Sequence, residues 1–160
     1  MRAVLQRVLQ ASVEVDGQTT GQIKRGLLVF LGVGKGDTEG DVDWMAEKIA
    51  GLRVFPDKAD RMNLSVVDVG GAILLISQFT LYGNCRKGKR PSFDAAAEPE
   101  TAKRLYGYAI ERLGEKGVDV QTGIFAASMR IECVNDGPVT LIIDSRMPRS
   151  QDVSATGATQ

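Results

Sequence analysis

The sequence predicts an α+β fold: a mainly antiparallel sheet or partial β-barrel, with two helices packed on one side of a single domain. Three observations predict it. Apolar residues recur at helical spacing in two segments, 42–52 and 102–113. About seven or eight short runs read as strands, joined mostly by short turns. The chain has 160 residues, 43% hydrophobic and 25% charged, which is ordinary for one globular core.

The elements follow in order. Val4, Val8, Ala11, Val13 and Val15 are separated by polar residues, which predicts one or two strands ending at the Asp16-Gly17 turn. Residues 18–24 predict a short strand running into Arg25-Gly26. The apolar run LLVFLGV, 27–33, is a buried strand. In the Gly-rich loop GKGDTEGD, Asp37 or Thr38 can cap the first helix, whose apolar face is Val42, Met45, Ala46, Ile49 and Leu52. FPDKADRMN is a loop, and residues 64–69 predict a short strand before a tight Gly70-Gly71 turn. AILLISQFTL, 72–81, is a strand that changes character at Ser77, and YGNCRKGKRPSF is a basic loop. The second helix covers 99–115, with Pro99 near its first turn and the stripe Ala102, Leu105, Tyr106, Ala109, Ile110 and Leu113. Strands at 118–122, 128–134 and 139–144 complete a domain of residues 1–146. The tail 147–160, rich in Ser, Thr, Ala and Gly, is expected to be disordered.

Composition narrows the chemistry. There is no histidine, which removes Ser-His-Asp and Cys-His mechanisms and every His metal ligand. The two cysteines, Cys85 and Cys133, form no CxxC pair and no disulfide framework. No metal and no cofactor are expected. With 20 basic and 20 acidic residues the net charge is zero, which argues against broad electrostatic capture of nucleic acid but not against a local basic patch. No apolar run approaches the ~20 residues of a membrane span, so a cytoplasmic protein with no membrane partner is expected.

Several segments could carry chemistry. If the strand continued through ISQFTL, Ser77 and Phe79 would share one face, and Gln78 and Thr80 the other. Polar groups there read either as a strand end meeting solvent or as a site whose N–H groups bind an oxyanion. GKGD before a helix could cradle a phosphate, yet it lacks both phosphate-loop patterns and reads as a plain loop. RKGKRPSF places Arg86, Lys87, Lys89 and Arg90 beside Phe93, either a solvated charge run or a phosphate-binding patch. Cys133 is expected in the core, and Cys85 lacks a histidine to activate it. NDGPVT, 135–140, looks like a hairpin turn, but Pro138 has no N–H for a ladder.

SQFTL (77–81), RKGKRPSF (86–93) and NDGPVT (135–140), behind the opening MRAVLQRV, together resemble a D-aminoacyl-tRNA deacylase, over residues 1–146. The resemblance implies hydrolysis of the ester joining a D-amino acid to the 3′-terminal adenosine of tRNA, with action on some glycyl-tRNA. It implies a homodimer with the active site at the subunit interface, and no DNA partner. Gly137 and Pro138 match a family Gly-cisPro loop that reaches across the interface and leaves no room for an L side chain. Arg7 matches an arginine that braces this loop. Ser77 and Gln78 would line the ester and adenosine pocket, and the N–H groups around Phe79 and Thr80 would form the oxyanion hole. The 2′-OH of the ribose would assist water, which suits a chain without histidine. Phe125 and Met129 match the family's pocket segment, while Ala126 and Ser128 stand where it usually has a second Gly and an acidic residue. Arg86, Lys87, Lys89 and Arg90 would contact RNA. Two alternatives stay open: a non-catalytic RNA- or nucleotide-binding module using 86–93, and a relative with a trans Gly-Pro bond that edits an L-amino acid.

Overall fold

The computed structural model describes residues 1–146, and the expected disorder of 147–160 lies outside the described residues. In chain order the elements are β1 (Arg2–Val15), β2 (Gln18–Ile23), β3 (Gly26–Gly32), α1 (Glu39–Gly51), β4 (Phe55–Pro56), β5 (Met62–Leu64), β6 (Ala72–Ser77), a 3-10 turn (Phe79–Tyr82), α2 (Pro99–Gly114), β7 (Asp119–Thr122) and β8 (Arg130–Asp144). The long β1 organises the sheet. Its first half pairs with β3 and its second half with β2, both antiparallel. β8 lies along its opposite edge. β3 continues to β6 and β6 to β7 in parallel. The order is β2-β1-β3-β6-β7, with β8 outside β1. A Cβ on Gly21 of β2 would stand 2.6 Å from the Thr122 carbonyl oxygen of β7, so the sheet nearly closes on itself. The predicted partial barrel is therefore present, with parallel pairs in its middle.

Two apolar layers explain the central strands. Ile73 and Leu75 of β6 face α1 and α2, together with Leu27, Val29 and Leu31 of β3. Leu74 and Ile76 face the opposite side, with Val8, Val13, Ile23 and Leu28. Strands buried on both faces read as unbroken apolar runs. Both helices pack on one face, as predicted. Thr38 is the N-cap of α1, and its N–H donates to Asp41 at 2.9 Å. Asp37 has another task. Its fully buried carboxylate accepts from the Met1 ammonium at 2.8 Å, the Gly34 N–H at 2.6 Å and the Arg146 guanidinium at 2.9 Å. With its acidic group satisfied this way, GKGD is a structural loop.

Four expectations need correction. The predicted strand at 64–69 is a turn after residue 64. There the Ser65 N–H donates to the Asp68 carboxylate at 2.8 Å and the Asp68 N–H to the Ser65 hydroxyl at 3.1 Å. Such side-chain bonds compete with a sheet ladder. The loop FPDKADRMN contains the small β4–β5 hairpin. The strand expected over 72–81 stops at Ser77, and the next residues coil, so the alternation expected for 77–80 does not apply. Cys133 is exposed rather than in the core: it lies on β8, an edge strand that pairs only with β1 among the described residues.

The NDGPVT segment also differs from a hairpin. The flanking runs do not pair with each other but lie one after the other on β1. Asn135 is opposite Val8 and Thr140 opposite Gln6, and the residues between them bulge outward. Asn135 replaces the missing ladder. Its side-chain oxygen accepts from the Val139 N–H at 3.0 Å, and its amide donates to the Thr140 hydroxyl at 3.1 Å.

Candidate active site

The Gln78 N–H donates to the Leu31 carbonyl at 2.8 Å, the last sheet-like bond before the chain coils. The first bond of the 3-10 turn is donated by Leu81 to the Gln78 carbonyl at 3.3 Å. The Phe79 and Thr80 N–H groups ahead of it have no acceptor among the described residues, as the first donors of a helical turn do. The Gln78 side chain donates to the Thr80 hydroxyl. Two unused donors therefore sit side by side at the end of a rigid central strand.

Phe79 and the two residues before it border a cavity of about 460 Å³, while Thr80 lies just outside its lining. Ser77, Gln78 and Phe79 form one wall, and Phe125, Ala126, Ala127 and Met129 form another. Ala96, Ala97, Pro99 and Ala102, at and before the start of α2, form a third. The lining contains no charged side chain. Phe125 leans on Tyr106 with ring centroids 6.0 Å apart. The Tyr106 hydroxyl donates to the Leu75 carbonyl at 2.7 Å, and burial pushes its pKa up to about 12. It thus serves as a fixed strut behind the cavity.

The basic loop lies next door. Asn84 and Ser92 close its base with paired backbone bonds of 2.7 and 3.0 Å. Phe93 then packs edge-on against Phe79, centroids 5.0 Å apart. Arg86, Lys87, Lys89 and Arg90 are exposed and have no ion-pair partner among the described residues. Their charge sits on a loop whose flanking Phe93 packs against the cavity residue Phe79.

Gly137 and Pro138 lie elsewhere, joined by a cis peptide bond. Arg7, nearly buried, holds the loop: its Nε donates to the Asp136 carbonyl at 3.2 Å and pairs with the Asp136 carboxylate at 3.1 Å, while its Nη1 donates to the Val54 carbonyl. Arg7 pairs with Leu27 of β3, whereas Ser77 pairs with Leu31. Four residues along a strand is about 13 Å. Within one chain the Gly137-Pro138 loop does not line the Ser77 cavity.

The cavity joins two sequence-predicted groups, Ser77–Phe79 with Phe125 and Met129, and leaves Arg7, Gly137 and Pro138 apart. Sequence reasoning missed the wall of Ala96, Ala97 and Ala102, for which the only hint was the end of the α2 stripe. It also missed Asn135 as the clamp of the bulge, although Asn is known to bond its own backbone at turns.

Comparison with known proteins decides the family. The family model described as D-Tyr-tRNA(Tyr) deacylase matches residues 4–144. The chain belongs to this deacylase family. Among curated relatives, a D-aminoacyl-tRNA deacylase of Koribacter versatilis (strain Ellin345) is 61% identical over 146 residues, covering 91% of this chain and 98% of the relative. Another, from Thermotoga petrophila, is 59% identical over 145 residues, covering 91% and 97%. A solved structure of the c-Myc DNA Unwinding Element Binding Protein superposes with a TM-score of 0.85 at 38% identity, covering 93% of this chain and all of that one. A probable eukaryotic D-amino acid tRNA deacylase superposes with a TM-score of 0.77 at 16% identity, covering 89% and 97%, a likeness of fold. The deacylase family therefore accounts for nearly every described residue, including the cavity and the bulge.

Proposed function

We propose that this protein hydrolyses the ester bond of D-aminoacyl-tRNA, and of some glycyl-tRNA, releasing the free amino acid and tRNA. The observation that carries the reading is the pair of unused N–H groups of Phe79, which lines an uncharged cavity, and of Thr80 next to it, in a deacylase-family chain with no histidine. Water adds to the ester carbonyl, and the oxygen that becomes negative is held by the two N–H dipoles. The tetrahedral adduct collapses, the bond to the ribose oxygen breaks, and that oxygen takes the proton water gave up. The neighbouring 2′-OH relays this proton. The protein positions and stabilises, while the substrate supplies the proton relay. Such chemistry needs charged tRNA, and a cytoplasmic location is part of this reading. Among the described residues no helix is long and apolar enough to cross a membrane.

Two observations support a homodimer with a shared site. The Gly137-Pro138 loop stands about 13 Å from its own Ser77 row, so it can serve as chirality filter only in a partner's cavity. β8 also leaves one edge open and exposes Val134, Leu141 and Ile142, the last at 72%. An exposed apolar edge strand favours pairing with another chain.

The decisive assay compares D-Tyr-tRNA and L-Tyr-tRNA. Rapid release of D-tyrosine alone is expected, and cleavage of neither ester would overturn the reading in favour of a binding module. Thr80→Ala should lower kcat about tenfold without abolishing it, since the hydroxyl only accompanies the backbone donors. Complete loss with a trapped acyl-enzyme would make Thr80 a nucleophile instead. Changing Arg86, Lys87, Lys89 and Arg90 to Gln should raise KM for charged tRNA and flatten its salt dependence by up to about three units of log–log slope. An unchanged slope would remove this loop from the RNA interface.

A further inference from the structure

Two aromatic rings sit where the core gains nothing from them. Phe30, Phe55 and Phe125 join the core clusters, whereas Phe79 and Phe93 belong to neither. Phe79 opens the 3-10 turn and is 55% exposed. Phe93 meets it edge-on, the rings inclined at 69° to each other, so ring surface of Phe79 stays open. The contact is built into the backbone. A Cβ on Gly83 would stand 3.1 Å from Cε1 of Phe93 and 3.0 Å from the Thr80 carbonyl oxygen, so the bare glycine lets Phe93 close on the turn. The Asn84 and Ser92 backbone bonds close the loop just before Phe93 and fix where that ring starts.

The charge beside the pair has one sign. Residues 84–92 hold Arg86, Lys87, Lys89 and Arg90, all exposed, and no acid. The acid that follows, Asp94, accepts from the Ser92 hydroxyl at 2.6 Å. An open aromatic ring next to unpaired cations suits a single strand of nucleic acid, whose bases stack on the ring while its phosphates meet the cations. In the deacylase reading, on which this inference rests, the reacting ester lies at the Phe79 and Thr80 N–H groups. The nucleotide that carries the ester is then held beside Phe79, and the strand behind it has the exposed ring and the basic loop next to it. We infer that the base of the penultimate nucleotide of tRNA stacks on Phe79, which Phe93 braces, while the adjoining phosphates face Arg86, Lys87, Lys89 and Arg90. Every base has a face to stack, so this grip adds affinity for the single-stranded end without reading its sequence.

The test uses the full-length protein and three substrates: D-Tyr-tRNA, the same tRNA with an abasic residue at the penultimate position, and the 3′-O-D-tyrosyl ester of adenosine. The readout is the KM of each tRNA relative to that of the adenosine ester. Phe79→Leu keeps the backbone N–H and the apolar bulk but removes the ring. It should worsen the relative KM of D-Tyr-tRNA about fivefold or more, and Phe93→Leu should shift it in the same direction. Phe79→Tyr keeps the ring and should keep the wild-type value. With wild-type protein the abasic tRNA should show the same loss as Phe79→Leu, and combining the two should add nothing, because both remove one contact. Losses that simply multiply place the base elsewhere and overturn the inference. So does a Phe79→Leu loss that is as large for the adenosine ester as for the tRNA. If the abasic tRNA costs nothing and Phe93→Leu instead loosens subunit association in sedimentation, a second copy of the chain covers the rings, and the inference also fails. Any of these results with a wild-type protein that cleaves D-Tyr-tRNA spares the deacylase reading. Wild-type protein that cleaves no ester sinks both.

Discussion

Gly137→Ala is expected to reduce deacylation of D-Tyr-tRNA by about 100-fold or more, the effect of misplacing a positioning group by roughly an ångström. Gly137 has φ +129°, which L residues rarely adopt. An added Cβ would stand 2.9 Å from Cγ2 of Val139, 3.1 Å from its N, and 3.0 Å from Nη2 of Arg7. None of these can easily yield. The Val139 N–H is held by Asn135 at 3.0 Å, and Arg7 is tied to Asp136 and to the Val54 carbonyl. The bulge must therefore shift as a unit. Because Gly137 and Pro138 are exposed, the loss should fall on kcat/KM, with Tm lowered only by the local strain of about 1–3 kcal/mol. A variant with kcat/KM within threefold of wild type would show that the loop is not part of the site.

Gly26→Ala is the largest expected stability effect. Gly26 opens β3 opposite Ala72, the first pair of the parallel β3–β6 ladder. A Cβ there would overlap the Ala72 carbonyl oxygen and stand 2.8 Å from its carbon and 2.9 Å from the Ala72 nitrogen. Its nearest atoms are all backbone, so relief requires opening the end of the β3–β6 ladder. A loss of about 3 kcal/mol or more, and a Tm lower by about 10 °C, is expected. Gly107→Ala is the control. That glycine lies in α2 with nothing within 4 Å of its added Cβ, so alanine should stabilise by about 0.5–1 kcal/mol. Equal Tm values for the two variants would be incompatible with this packing.

Local pattern made much of the architecture legible. The 3.6-residue spacing of Val42, Met45, Ala46 and Ile49, and of Leu105, Tyr106, Ala109 and Leu113, marks the two buried helix faces. The unbroken apolar runs of β3 and β6 reveal strands covered on both sides. At 64–69 the pattern misled, because Ser65 and Asp68 bond each other's backbone and form a turn. Cys133 misled for a different reason. Whether an apolar residue is covered depends on which strand lies at the sheet's edge, and that is a long-range fact.

The candidate site divides in the same way. Residue identity by itself determined the chemical limits: no histidine, hence no His-activated nucleophile, and motifs that resemble a D-aminoacyl-tRNA deacylase. Residue order also determined the helices and the buried strands, since periodicity and turn chemistry act over a few neighbours. Only the tertiary structure decided which N–H groups are left unused, because that depends on where β6 stops and the 3-10 turn begins. It alone brought Ala96 and Ala102 across to Ser77 and Phe125, positions far apart in the chain. It also separated Gly137 from Ser77 by placing them at different heights on the sheet. Register and packing between distant segments are collective properties of the fold, and no short stretch of sequence contains them.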